Sequence, residues 1–130
     1  FRHVMACYNV QHALLVGPNS GYGLDNRYLL HVLSQAPGVF KGIAVVPNDC
    51  SLESLAAFKA QGVIGVAFNP SLMGTAYYAD IEPLLQRLQQ LDMWAQFQVE
   101  NDLLLDFLPM LGRVAVKVMI RFSVELAMMV

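Results

Sequence analysis

Apolar residues gather in five short runs, each closed by a polar or turn-forming cluster. They are His12–Val16 (HALLV), Gly42–Val46 (GIAVV), Val63–Phe68 (VIGVAF), Trp94–Val99 (WAQFQV) and Val114–Ile120 (VAVKVMI). Runs this short, rich in branched and aromatic residues, read as strands. Between them the apolar spacing changes to three and four. Tyr28, Leu29, Leu30, Val32 and Leu33 follow Asp25, a candidate N-cap, and Pro37-Gly38 stops that helix. Ser51 caps a second helix over Leu52–Gln61, with Gly62 as the residue that ends it. Asp80 precedes a third, with Glu82 and Pro83 in its first turn and Leu84, Leu85, Leu88 and Leu91 on one face. Asn101 or Asp102 caps a fourth, carrying Leu103, Leu104, Phe107, Leu108 and Leu111. Residues before His12 read as the end of a preceding helix. Strands joined by single helices demand a parallel sheet with right-handed crossovers.

Composition agrees with that reading. Hydrophobic residues make up 56% of the 130, an excess that suits strands buried on both faces. Charged residues are only 14%, so much of the surface is suited to meeting other protein. A net charge of −2 supplies no basic field for nucleic acid or an anionic membrane. Cys7 and Cys50 form neither a CxxC nor a zinc spacing, and no signal-peptide pattern opens the chain, so a reduced, cytoplasmic protein is expected. The apolar stretch from Val114 to Val130 holds Lys117, Arg121 and Glu125, which argues against a membrane span.

Ligands of parallel α/β proteins bind beyond the C-terminal ends of the strands. Polar clusters sit after four of the runs: Asn19-Ser20, Asn48-Asp49, Asn69 and Glu100-Asn101-Asp102. They form a candidate rim of amides and carboxylates around a polar small molecule. The same residue types also favour turns and helix caps. Capping is the expectation for Asp49, Ser51, Asp80 and Asp102, whereas Asn19, Ser20 and Asn69 stand before any helix begins. Gln96 and Gln98 alternate with Phe97 and Val99, so the two amides share one face. Asp25 and Glu100 are a candidate carboxylate pair whose proximity the sequence does not show. His3 and His31 read as helix residues, and His12 opens a strand at the end away from the rim. No metal-ligand spacing and no Ser-His-Asp order follows from them. The loop Gly17–Gly23 matches neither GxGxxG nor a P-loop.

The segment HALLVGPNSGYGLDNRYLL resembles the second strand and loop of the amidohydrolase-related family that includes the pyrone-dicarboxylate lactonase-like hydrolases. KGIAVV, GVIGVAFN and WAQFQVENDLLLDFLPMLGR continue that likeness in order and spacing, so it covers nearly all of residues 8–114. The resemblance implies a (β/α)8 TIM barrel that hydrolyses small carboxylated or cyclic esters or amides, with or without a divalent metal in full-length relatives. The five strands would be the second to the sixth of the barrel. It also implies substrate-facing positions: Asn19, Ser20, Tyr22, Asp25 and Asn26 in the second loop, Asn69 at the end of the fourth strand, and Gln98 with Glu100 at the end of the fifth. Three positions depart from the family pattern. Gly17 stands where a Gln is usual, Ala67 where an Arg is usual, and Arg121-Phe122-Ser123 where an Asp-His-Gly-type motif is usual. The HxH of the first strand is absent from these residues.

The resulting expectation is a single domain over residues 1–130. It is an incomplete barrel of about five strands with an atypical tail at 121–130, from a truncated or frameshifted reading frame. The chain alone would bind no metal or cofactor and would be catalytically inactive. Its open sheet edges would favour self-association, and neither nucleic acid nor membrane would be a partner. Two alternatives compete: a complete five-stranded doubly wound domain that binds a small ligand, and a non-catalytic relic of the hydrolase. Strand order separates the barrel from the doubly wound fold.

Overall fold

The computed structural model describes residues 1–17 and 23–122. The helix α1 (Arg2–Cys7) leads into β1 (Ala13–Val16), α2 (Arg27–Gln35) and β2 (Phe40–Ala44). Then come α3 (Leu52–Ala60), β3 (Val63–Phe68), the short α4 (Pro70–Met73) and α5 (Glu82–Gln90). β4 (Trp94–Val99), α6 (Leu108–Arg113) and β5 (Lys117–Phe122) complete the order, with 3-10 turns at Ala76–Tyr78 and Leu103–Phe107.

All neighbouring strands pair in parallel, and their spatial order is β1-β2-β3-β4-β5. A doubly wound sheet would reverse direction around an early strand; the sequential order excludes it. The sheet curls into part of a barrel. One register shift interrupts it. Gly42 opposes Val63 but Ile43 opposes Gly65, so Ile64 is an extra residue in β3. Only glycine fits the next position: a Cβ on Gly65 would lie 2.5 Å from the Trp94 carbonyl oxygen.

The two faces of the sheet are packed differently. On the outer face Val63, Val66, Phe68, Ala95, Phe97 and Val99 meet Leu29, Leu33, Leu55, Leu84, Leu85 and Leu88 of the helices in one continuous core. Phe68 stacks on Phe97 with ring centres 5.0 Å apart, and Phe107 closes the cluster from the 3-10 turn. The inner face has a small separate cluster of Ile43, Val45 and Ala67, with Val16 and Ile64 against it.

Several boundaries differ from the pattern reading, each for a local reason. β2 starts at Phe40 and ends at Ala44 rather than running over Gly42–Val46. Beyond Ala44 the backbone of Val45 is taken by a side chain, Asn26, instead of by the neighbouring strand. β5 starts at Lys117 rather than Val114, because α6 runs to Arg113 and the next residues turn the chain. It continues through Arg121 and Phe122. The single helix expected after Asp102 is split into the 3-10 turn and α6. Pro109, in the first turn of α6, has no N–H to continue a ladder from the preceding turn. Ser51 caps α3 as expected, its hydroxyl accepting the Ser54 N–H at 3.1 Å. Asp80 and Asp102 make no capping bond, and Asp25 stands one position before the N-cap of α2, where its carboxylate accepts the Arg27 N–H at 3.0 Å. Asn26 and Ile81 hold the N-cap positions of α2 and α5, and Asp102 makes no side-chain cap bond to the 3-10 turn it precedes. Among the described residues no helix is long and apolar enough to cross a membrane.

Candidate functional site

The C-terminal ends of β3, β4 and β5 bring Asn69, Glu100 and Arg121 to one rim. Alternation decides which side chains line the inside below it. Ala95, Phe97 and Val99 enter the outer core, so Trp94, Gln96 and Gln98 face inward. Val118 and Ile120 pack outward likewise, which turns Lys117, Met119 and Arg121 inward. The register then sets Trp94 beside Lys117, Gln96 beside Met119 and Gln98 beside Arg121. The inner face is therefore mixed: Lys41 shares the inward row of β2 with Ile43, and Gln96, Gln98, Lys117 and Arg121 share those of β4 and β5 with Trp94 and Met119.

Asn69 is buried and does local work. Its side-chain oxygen accepts the Leu72 N–H at 3.1 Å, capping α4, and its own N–H donates to the Tyr78 hydroxyl at 3.0 Å. The Ser71 hydroxyl donates to the Gln98 carbonyl at 3.2 Å, which ties α4 to the end of β4. Gln98 is half-buried, Gln96 is buried and Glu100 is exposed.

Asn26 is also buried, and its amide is fully engaged. Its Nδ2 donates to the Val45 carbonyl at 2.7 Å and to the Leu24 carbonyl at 3.3 Å, while its Oδ1 accepts the Val45 N–H at 3.0 Å. The side chain thus stands in for a strand and pins the loop after β1 against the end of β2. Asp25, next to it, is exposed and ion-paired with Arg27 at 2.7 Å. Hydrogen bonds from the Arg27 side chain, and then from its backbone N–H, hold the Asp25 carboxyl down at about 2. Asp25 and Glu100 stand after β1 and β4, with β2 and β3 between. At roughly 4.8 Å per strand that is about 14 Å, so they are not a catalytic pair of the close kind. Asn19, Ser20 and Tyr22 lie outside the described residues.

A cavity of about 510 Å³ opens beside β1, lined mainly by apolar side chains including Leu14, Val16, Tyr28 and Leu29, with Asp25 and Asn26 at its polar end. A smaller one, about 120 Å³, lies at the rim between Val45, Ala67, Met73 and Tyr78. The position usual for arginine in the family pattern, Ala67, faces this second cavity.

The histidines stand apart from the rim. His12 Nδ1 bonds the Gly38 carbonyl at 3.2 Å, at the far end of β1, and His3 lies on α1 beside Cys7. Among the described residues no three His, Cys, Asp or Glu side chains gather to hold a metal ion. These residues do not fit the divalent metal that the family pattern allows in full-length relatives.

Pattern reading missed one rim residue. Arg121 was placed past the end of its strand, although Lys117, Met119 and Arg121 alternate in phase with Gln96 and Gln98 and would have shown it once the strand was started at Lys117.

No curated protein matches the chain. Among solved structures it is similar to a candidate 2-pyrone-4,6-dicarboxylic acid hydrolase of Acinetobacter baumannii with citric acid bound, at 30% identity and a TM-score of 0.82. That match covers 92% of this chain and 45% of the other. A candidate 2-pyrone-4,6-dicarboxylic acid hydrolase of Pseudomonas putida is similar at 28% identity and a TM-score of 0.76, over 89% and 43% of the two chains. An Agrobacterium tumefaciens protein in its apo form shares the fold at 16% identity and a TM-score of 0.72, over 90% and 43%. The chain thus spans less than half the length of these relatives. The family model described as Amidohydrolase matches residues 11–121, and with that match the chain belongs to the amidohydrolase family.

Proposed function

We propose that residues 1–130 form one domain, an incomplete barrel, that supplies the central strands and part of the substrate-binding rim of an amidohydrolase-type hydrolase. Its substrate would be a small carboxylated or cyclic ester or amide, of the lactone kind. The observation that carries this reading is the inner face. Amides and a guanidinium alternate along β4 and β5 and end at a rim, in a sheet whose order is that of a barrel. Likeness to two candidate 2-pyrone-4,6-dicarboxylic acid hydrolases, one of them with citric acid bound, supports the substrate class.

The chemistry of the described residues suits binding rather than bond cleavage. Gln98 and Glu100 can orient a polar substrate, while Asn26 and Asn69 hold the loops that surround it. Hydrolysis needs a positioned water, a base and an electrophile at once, and no histidine reaches the rim. The chain by itself is therefore hydrolytically silent, with catalysis requiring strands beyond β1 and β5. Among the described residues no strand pairs with the outer sides of β1 and β5, and self-association through those edges is part of the proposal.

The test is turnover of 2-pyrone-4,6-dicarboxylate, followed by its ultraviolet absorbance. The purified chain alone should give no rate above buffer. The chain combined with the complementary strands of the Acinetobacter relative should restore one. Turnover by the chain alone, lost in Asp25→Asn or Glu100→Gln, would overturn the silent-fragment reading. A combination that folds, binds substrate and never turns it over would overturn the hydrolase reading.

A further inference from the structure

We propose that His3 and Cys7 on α1 form half of a zinc site, which the same pair from a second copy of this chain completes. The spacing of the two side chains comes first. Residues four apart stand one above the other on a helix face, and here Cys7 Sγ lies 3.8 Å from His3 Nε2. Zinc holds a thiolate sulfur at about 2.3 Å and an imidazole nitrogen at about 2.0 Å. A tetrahedral angle between those two bonds sets sulfur and nitrogen about 3.6 Å apart. The pair already stands close to the separation that one zinc ion requires.

Placement favours the same reading. Met5 is the buried residue of α1 and anchors it to the outer core. His3 and Cys7 each stand two positions from Met5, which at about 100° per residue puts both on the opposite side of the helix. Both are exposed. The other thiol and imidazoles are placed differently: Cys50 is buried, His12 bonds the Gly38 carbonyl, and His31 stands on α2. The pair is remote from the rim, and the proposal does not depend on the hydrolase reading.

Two ligands are half of what zinc takes. Structural zinc is almost always four-coordinate, and among the described residues no third His, Cys, Asp or Glu joins the pair. A second copy of α1, related by a twofold axis through the metal, supplies the same two groups. The result is a set of two cysteines and two histidines, a common structural zinc set. Val4 and Tyr8 are exposed on the flank of the same helix and give the two copies apolar surface to bury. On binding, each Cys7 thiol loses its proton to solvent and gives a sulfur lone pair to the metal, while each His3 gives the Nε2 pair.

The probe is zinc alone, titrated into the purified chain in the presence of a phosphine reductant, with calorimetry and sedimentation velocity as readouts. One zinc should bind per two chains, and a dimer should appear with the metal and vanish with a chelator. Cobalt in place of zinc should give the visible bands of a tetrahedral ion with thiolate ligands. Loss of an outer-shell partner of a metal ligand already costs roughly 10–100-fold in affinity. Cys7→Ser and His3→Gln remove ligands outright, so each should cost at least about a hundredfold. His31→Gln should bind as the parent does. Both ligand residues are exposed, so their variants should keep the parent far-UV spectrum, which checks the fold. Association through the sheet edges needs no metal and would persist in both variants, which separates the two effects. No zinc binding, binding that survives Cys7→Ser or His3→Gln, or one zinc per chain with no change in association would each overturn the proposal. A dimer formed only without reductant, and indifferent to the chelator, would be a disulfide and would overturn it as well.

Discussion

The outer and inner faces of the same sheet have opposite fates. Outside, the chain's own helices cover β2, β3 and β4, and Ala95, Phe97 and Val99 are fully buried. Inside, Gln96 and Gln98 stand on β4 one residue out of phase, with Arg121 beside them on β5, and Ile43, Val45 and Ala67 form a small buried cluster. A shift of one residue exchanges the faces, since strand side chains alternate. The comparison separates what folds this chain from what it offers to a ligand. Stability is written on the odd positions of β4, and chemistry on the even ones.

The largest expected effect breaks the comparison at a single step. Phe97→Ala should destabilise the fold by about 3–5 kcal/mol, because it removes a ring packed between Phe68 and Phe107. Its neighbour Gln98→Ala, which removes no core side chain, should cost about 1 kcal/mol. Urea titrations of both variants measure the difference, and equal losses would mean that the inner face is as well packed as the outer.

A smaller effect is expected where the two faces meet. Asn26→Ala leaves the Val45 N–H and carbonyl without their partner in a buried setting, a loss of about 1–3 kcal/mol. Asn26→Asp keeps the acceptor for the Val45 N–H but turns a carboxylate oxygen toward the Val45 carbonyl, so it should cost at least as much. Faster exchange of the Val45 amide would locate the damage at the end of β2. An unchanged Val45 amide in Asn26→Ala would show that the clamp is not formed.

These residues also show where pattern reading works and where it stops. The five strands and their parallel pairing were legible because each apolar run is short and each intervening helix repeats at three and four, whereas their sequential order rested also on the family resemblance. Asn26 was legible as a loop residue but not as the clamp that ends β2, because its partner Val45 is 19 positions away. Pro109 marked a break that the leucine spacing around it concealed. The rim positions Asn69 and Glu100 were readable from their place after strands. Asn69's bond to Tyr78, and the pairing of Gln98 with Arg121, depend on register and could not be read from either segment alone.

The smallest effect concerns pH. The Asp25 carboxyl sits at about 2 rather than its ordinary 3.8, first because of the Arg27 side-chain hydrogen bond. Glu82 and Asp92 are also lowered, chiefly by hydrogen bonds from Arg113 and Lys117. A lowered folded-state value means stability that is present above the ordinary carboxylate value and lost as pH falls toward the folded one. The melting temperature should therefore drop modestly between about pH 4 and 2. Asp25 and Asp92 are exposed and Glu82 is half-buried, so the drop should shrink in high salt. Arg27→Gln should return the Asp25 titration, followed by carboxyl chemical shift, to its ordinary range. Arg27→Gln removes only a loop interaction and should leave the β4–β5 inner row unmoved.

The central claim is that, among the described residues, the inner face is thinly covered and no strand pairs with the outer sides of β1 and β5. Sedimentation velocity of the purified chain over a range of concentrations tests it most directly. Open edges and an incompletely covered inner face predict concentration-dependent association, with β1 and β5 as the strands that become protected. A monomer at every concentration, melting cooperatively, would contradict the account.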